Sequence, residues 1–90
     1  MARRYRVELT PKARREILAL SKDVQERIDT RILALADNPR PQGSKKLGGE
    51  DGLYRIRVGD YRIVYAIRDD ILVVLVVRIG HRSEVYRKRR

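Results

Sequence analysis

The sequence contains no cysteine, tryptophan or phenylalanine, and it has a single histidine. Without cysteine there is neither a disulfide framework nor a thiolate metal site, which is compatible with a reducing compartment. One histidine also leaves a transition-metal site without its usual ligands, so we predict neither a metal nor another cofactor. The phosphate-binding signature GxxxxGK[ST] and the zinc signature HExxH are both missing.

Long apolar runs are missing as well. The longest run, residues 71–77, has the length of a β-strand and falls well below the roughly 18 residues that span a membrane. The opening stretch MARRYRVEL lacks the apolar core of a signal peptide, so we expect a cytoplasmic location. A chain of 90 residues allows one compact domain, which we predict over residues 1–90.

Acidic residues are outnumbered by basic ones, 12 to 22, which leaves a net charge of +10. Such an excess favours a polyanionic partner: nucleic acid, an anionic membrane or an acidic protein. The candidate helices carry charges around much of their circumference and lack an aromatic-rich apolar face, which argues against a membrane. Nucleic acid is therefore the predicted partner, and an acidic protein partner is compatible with it.

Hydrophobic periodicity predicts the element order β-α-α-β-β-β, an α+β domain. Residues 4–9 alternate as a strand, Thr10 caps a helix over residues 11–20, and Ser21 caps a second helix that ends at Asn38-Pro39. Residues 40–52, rich in glycine and proline, are predicted to form a surface loop that carries Lys45 and Lys46. Two helices then cover one face of a mostly antiparallel four-stranded sheet, and the other face is left partly open.

The stretch LYRIRVGDYRIVYAI, which begins at Leu53, predicts a hairpin around Gly59-Asp60. Glycine at the first central position of a two-residue loop is typical of a type II′ turn. That turn places Arg57 opposite Arg62, and it puts both on one face with Arg55 because side chains alternate along a strand. Since like charges opposite each other destabilise a sheet, the cluster indicates a site for an anion, most simply phosphate.

A second turn at Asp69-Asp70 extends this site. If that loop also has two residues, Arg62 lies opposite Val77, and His81 continues the same face. The three arginines and residues 80–86 then converge on one concavity. The alternatives are solvated arginines, a surface histidine at position 81, a Tyr86 that closes the sheet edge, and a solvated basic C-terminal tail.

Guanidinium groups beside an imidazole and a phenol suit RNA cleavage without metal. The 2′-hydroxyl attacks the adjacent phosphodiester, arginines stabilise the charge that develops on phosphate, and a titratable group moves protons. Histidine, with a reference pKa of about 6.5, suits that last task. Tyr61 or Tyr86 is a candidate to stack on a base, a contact worth about 1–3 kcal/mol. Lys45, Lys46 and Tyr61 are assigned to substrate binding.

The motifs L-x-G-x-x-x-x-Y-R-I-R-x-G-D-Y-R-I-V-Y and G-H-R-x-x-V-Y resemble the RelE/ParE superfamily of toxins from type II toxin–antitoxin systems. The resemblance covers nearly the whole chain. Its RelE-like members imply a ribosome-dependent mRNA endonuclease. On that resemblance five residues belong to the catalytic set: Arg55, Arg57, Arg62, Arg82 and Tyr86. His81 is added to the catalytic set from the residues themselves, as the group that can move protons. ParE-like members share the fold but inhibit DNA gyrase, which is the alternative function.

The resemblance also implies partners, and the chain differs from RelE at two positions of the site. The partners are the ribosome with its mRNA and an antitoxin whose acidic segment wraps the toxin, in agreement with the charge of +10. RelE carries lysines where this chain has Arg55 and Arg57. Because arginine does not lose its proton in proteins, these two positions only bind phosphate or the general base lies elsewhere. His81 is then the candidate base.

Overall fold

The computed structural model describes residues 4–48 and 52–81. Two helices and five strands occur in these residues, in the order β1 (Arg6–Leu9), α1 (Pro11–Leu18), α2 (Lys22–Ala34), β2 (Lys45–Lys46), β3 (Leu53–Val58), β4 (Tyr61–Arg68) and β5 (Val73–His81). Neither helix has the length and apolar character needed to cross a membrane.

The strands form one sheet in the order β1-β5-β4-β3-β2, in which only β1 and β5 run parallel. The predicted α+β class, with two helices and a mostly antiparallel sheet, is confirmed. The strand count differs, because Lys45 and Lys46 pair with Arg55 and Tyr54 as a short fifth strand. Two residues flanked by glycine and proline carry too little alternation to be recognised as a strand from sequence.

Both helices begin where the sequence predicts. The hydroxyls of Thr10 and Ser21 accept hydrogen bonds from the backbone N–H groups of Ala13 and Val24, so each helix has a side-chain N-cap. The helices pack on one face of the sheet through a single core. Its buried members are Ala13, Ile17, Ile28, Ile32, Leu35, Ile56, Val58, Ile63, Tyr65, Val74, Val76 and Ile79.

The hairpin between β3 and β4 has the predicted turn and register. Gly59 has a φ of 62° and Asp60 does not have a positive φ, which matches a type II′ turn. Arg57 lies opposite Arg62, and Arg55 lies opposite Val64. The apolar partners Ile56 and Ile63 belong to the core under the helices, so the arginines lie on the other face of the sheet.

The predicted register between β4 and β5 is wrong in two ways. First, Arg68 pairs with Val73, so residues 69–72 connect the strands where a two-residue turn was expected. Second, the register shifts by one residue within the strands. Val64 pairs with Arg78, but the next residue, Tyr65, pairs with Val76. This β-bulge leaves Val77 without a residue opposite it in β4.

The two errors have different consequences for the site. Two extra loop residues slide β5 without turning its side chains over, whereas the one-residue bulge exchanges the two faces of the strand beyond it. Arg62 therefore lies opposite Gly80 and not Val77, and His81 lies opposite Tyr61. The prediction that His81 shares a face with Arg62 is wrong for this reason.

Candidate functional site

Basic residues occupy two neighbouring rows across the sheet, on the face away from the helices. One row runs through Lys45, Arg55, Val64 and Arg78. The other runs through Arg57, Arg62 and Gly80. Between them lies the row of Ile56, Ile63 and Ile79, which faces the helices. Neither basic row contains an acidic residue, so this basic face is a concentrated patch of positive charge.

The arginines of the basic face differ in exposure. Arg57 is exposed, whereas Arg55 and Arg62 are only 9% and 6% exposed. The Arg55 side chain is held by a hydrogen bond of 3.4 Å from Nη1 to the carbonyl oxygen of Gly43, in the loop before β2. Opposite Arg62, Gly80 has no side chain to compete for the space above the sheet. The Arg55 guanidinium is therefore held in place before any ligand binds, which lowers the entropy cost of binding there.

Of the predicted site residues, the structure brings together Arg55, Arg57, Arg62 and Lys45. Lys46 pairs with Tyr54, and so lies in a row that faces the helices. The predicted residues Arg82 and Tyr86 lie outside the described residues. The chemistry available on the described part of the basic face is accordingly anion binding by neighbouring cations.

Tyr61 and His81 meet at one end of the sheet, on its helix-covered side. Their rings are 5.8 Å apart between centroids and inclined at 76°, an edge-to-face contact. They border a groove of about 430 Å³, whose other wall includes Glu16 of α1 and Leu20, which follows that helix. A base stacked on Tyr61 and a phosphate on Arg62 would thus lie on opposite faces of the sheet.

Arg78 belongs to the basic face but was not predicted. Its Nε donates a hydrogen bond of 2.9 Å to Glu16 of α1, and both side chains are largely buried. A sequence signal existed, since Arg78 is the one charged residue within the otherwise apolar stretch 71–79. The face on which Arg78 lies could not be predicted, because it depends on the bulge and no local sequence pattern indicates the bulge.

A second polar cluster lies at the other end of β4, around Asp69. Arg40 donates two hydrogen bonds to this carboxylate, of 3.3 and 2.8 Å, and a third of 3.2 Å to the hydroxyl of Tyr54. The hydroxyl of Tyr5 donates to the same carboxylate, and this bond to Asp69 raises the pKa of Tyr5. The cluster joins the start of the chain to the loop before β2, so its role is to fix that loop.

Tyr65 anchors the same loop from inside the core. Its hydroxyl donates a hydrogen bond of 2.7 Å to the carbonyl oxygen of Pro39, and its side chain is fully buried. Burial raises the pKa of Tyr65 to about 12, because the phenolate would lose its hydration there. The loop that Tyr65 holds includes Gly43, the partner of Arg55. The core is thereby connected to the basic face.

Carboxylate and imidazole groups are not gathered into a metal site in residues 4–48 and 52–81. No group of three or more such side chains there is arranged to hold a metal ion.

Known proteins with this sequence pattern and fold are toxins. A family model described as the ParE toxin of the type II toxin–antitoxin system, parDE, matches residues 7–86. The mRNA interferase toxin RelE of Escherichia coli K12 is 31% identical over 91% of this chain and 90% of its own length. Toxin RelE of Mycobacterium tuberculosis is 33% identical over 92% of this chain and 87% of its own length.

Solved structures give the same result. The toxin–antitoxin complex RelBE2 of M. tuberculosis contains a chain that matches with a TM-score of 0.80 and 28% identity, over 93% of this chain and 98% of that one. The intact E. coli RelBE complex gives a TM-score of 0.76 at 28% identity, over 86% of this chain and 95% of that one. This protein therefore belongs to the RelE/ParE superfamily and is a RelE-like toxin of a type II toxin–antitoxin system.

Proposed function

We propose that this toxin is an endoribonuclease that cleaves mRNA on the ribosome and that the basic face grips the RNA phosphates. The observation that carries the proposal is the pairing of Arg57 with Arg62, beside Arg55, on a face whose two rows hold no acidic residue. Placing like charges opposite each other costs stability. An anionic substrate would recover that cost on binding.

The proposed chemistry follows from what a guanidinium can do. The 2′-hydroxyl gives up its proton and its oxygen attacks phosphorus, while the bond from phosphorus to the 5′-oxygen breaks and that oxygen takes up a proton. The products are a 2′,3′-cyclic phosphate and a 5′-hydroxyl end. Negative charge grows on the phosphate oxygens in the transition state, and fixed cationic donors stabilise it. Arg62 is the proposed donor, since it lies between Arg57 and Gly80, which presents no side chain of its own. Because arginine keeps its proton, another group must accept the proton of the 2′-hydroxyl.

The remaining predicted members keep their assignments as proposals. Arg82 and Tyr86 follow Gly80 and His81 along the chain, and Gly80 lies directly opposite Arg62. His81 is the proposed general base on sequence grounds only, because its row faces the helices. A substrate that reaches both Arg62 and His81 has to pass around the end of the sheet where β5 ends.

The proposed partner in the resting state is an antitoxin. The two structural relatives described above are complexes named RelBE2 and RelBE. A chain with a net charge of +10 suits an acidic partner segment, and such a segment on the basic face would exclude RNA.

The test is primer extension on a translated mRNA after the toxin is induced in cells and, separately, in a purified translation system. Wild-type protein is expected to produce discrete cuts with 5′-hydroxyl ends. Arg62→Gln is expected to slow cutting by about a hundredfold, the usual cost of losing one transition-state donor. Arg14→Gln is the matched control, since it removes the same charge from an exposed position of α1.

Each arm decides a separate part of the proposal. Equal loss in Arg62→Gln and Arg14→Gln would show that bulk charge, and not the basic face, is responsible. Cut ends that carry a 5′-phosphate in place of a 5′-hydroxyl would remove the proposed chemistry. His81→Gln tests the proposed base, which predicts a loss that becomes smaller as the pH of the assay rises.

A second candidate function is inhibition of DNA gyrase, which the match to a ParE family model favours. A supercoiling assay with purified toxin separates the two functions. Intact transcripts together with blocked supercoiling would replace the nuclease with this alternative.

A further inference from the structure

Strand β5 loses its neighbour before it reaches the basic face. The parallel pairing with β1 ends at Leu9 and Val76, whereas β5 continues to His81. The backbone groups of β5 beyond Val76 need other partners on that side, because unsatisfied groups next to the core are costly. Thr10 and Glu16 of α1 supply two of these partners, at Val77 and at Ile79.

Thr10 continues the pairing for one residue past the end of β1. Its backbone N–H donates a hydrogen bond of 2.9 Å to the carbonyl oxygen of Val76. Its hydroxyl donates one of 3.3 Å to the carbonyl oxygen of Val77. The same hydroxyl caps α1 by accepting from Ala13. The first turn of α1 and the bulged residue Val77 are thus fixed to each other.

Glu16 holds the next two residues of β5 with one carboxylate. Its Oε1 accepts a hydrogen bond of 2.7 Å from the backbone N–H of Ile79, and its Oε2 accepts one of 2.9 Å from Nε of Arg78. Its side chain is 22% exposed, so both are charge-assisted bonds at a largely dry site. The residue after Ile79 is Gly80, which lies opposite Arg62.

We infer that Glu16 is a positioning residue for the basic face. By fixing the β5 backbone at Ile79 and the side chain at Arg78, it holds the register that puts Gly80 opposite Arg62. An acidic residue on a helix thereby helps a basic surface to bind an anion. The effect on RNA rests on the proposed function, whereas the effect on the sheet does not.

The first readout is NMR of 15N-labelled protein and does not depend on RNA. In Glu16→Ala the Ile79 amide is expected to exchange with solvent at least about tenfold faster, and the resonances of the Gly80 amide and Arg62 Nε–Hε to shift. Glu16→Gln retains an oxygen for the Ile79 amide and should restore most of its protection, but not the Arg78 contact. Glu26→Ala, an exposed position on α2, is expected to leave all these signals in place.

The second readout is the anisotropy of a fluorescein-labelled 2′-O-methyl RNA hexamer, which cannot be cleaved. Removing either glutamate raises the net charge by one, which by itself strengthens binding. Glu26→Ala should therefore bind equally or more tightly than wild type. Glu16→Ala should bind about tenfold more weakly than Glu26→Ala, as expected for the loss of one charge-assisted contact.

The outcomes separate the positioning role from the proposed function. Unchanged Gly80 and Arg62 resonances in both Glu16 variants would overturn the positioning role, and Glu16→Gln decides this if Glu16→Ala does not fold. If the resonances shift but neither Glu16→Ala nor Arg62→Gln weakens binding of the hexamer, the positioning role stands and the proposed RNA site on the basic face is wrong. Binding that depends on Arg62 but not on Glu16 would overturn the inference.

Discussion

The hydroxyl of Tyr65 makes a measurable prediction about how the core supports the basic face. Tyr65→Phe keeps the ring in the core and removes the hydrogen bond of 2.7 Å to the carbonyl of Pro39, which is itself buried. A buried acceptor left without its donor costs about 1–3 kcal/mol. We expect urea unfolding at pH 8 to show a loss of that size. Tyr54→Phe, at a partly exposed hydroxyl that accepts from Arg40, should cost less.

The same group gives the unfolding free energy a pH dependence. Burial raises the pKa of Tyr65 from 10.0 to about 12, so its contribution is complete below pH 10 and is lost as the pH rises towards 12. At pH 11 the wild type should have lost about 1.4 kcal/mol through this group. The difference in unfolding free energy between wild type and Tyr65→Phe should therefore become smaller by that amount between pH 8 and pH 11. A gap that stays constant over this range would refute the argument.

Two further predictions concern turns. Gly59→Ala should destabilise the protein by about 1–2 kcal/mol in urea unfolding, because φ is 62° there and an L side chain is strained at that angle. An unfolding midpoint equal to that of wild type would contradict the type II′ turn. Asp69→Asn should cost less than about 1 kcal/mol, and less still in 1 M salt, since the Arg40–Asp69 pair is about half exposed. A larger or salt-independent loss would mean that the cluster is more than a surface ion pair.

The parts of the fold that the sequence predicts are those fixed by neighbouring residues. Thr10 and Ser21 mark two helix starts because a capping hydroxyl acts within three residues of itself. Gly59-Asp60 fixes the register of β3 on β4 because a two-residue loop leaves no freedom in pairing. Arg55, Arg57 and Arg62 could be placed on one face for that reason.

The parts that it does not predict depend on contacts between distant residues. The connection over residues 69–72 is longer than its Asp69-Asp70 pair suggests, and it includes Leu72 at a φ of 55°, a conformation uncommon outside glycine. The bulge at Val77 lies where Thr10 and Glu16 meet β5, more than sixty residues away in sequence. The sequence of residues 71–79 indicates neither the longer connection nor the bulge, because a strand that is apolar on both faces shows no alternation from which its register could be predicted.

One inserted residue decides what kind of site the basic face can be. With the longer loop alone, Arg62 would lie opposite Ile79, and His81 would share its face as a ready-made acid–base partner. The bulge moves Gly80 into that row and turns His81 towards Tyr61. On the described residues the face then holds arginines and Lys45 but no histidine or carboxylate. It can bind and polarise a phosphate, whereas the side chains that most often act as general bases lie elsewhere. In the proposed reaction the proton is therefore taken by a group at the end of the sheet, in the segment after His81 or on a partner. The proposed dependence on the ribosome agrees with a site that is completed only when its substrate is presented to it.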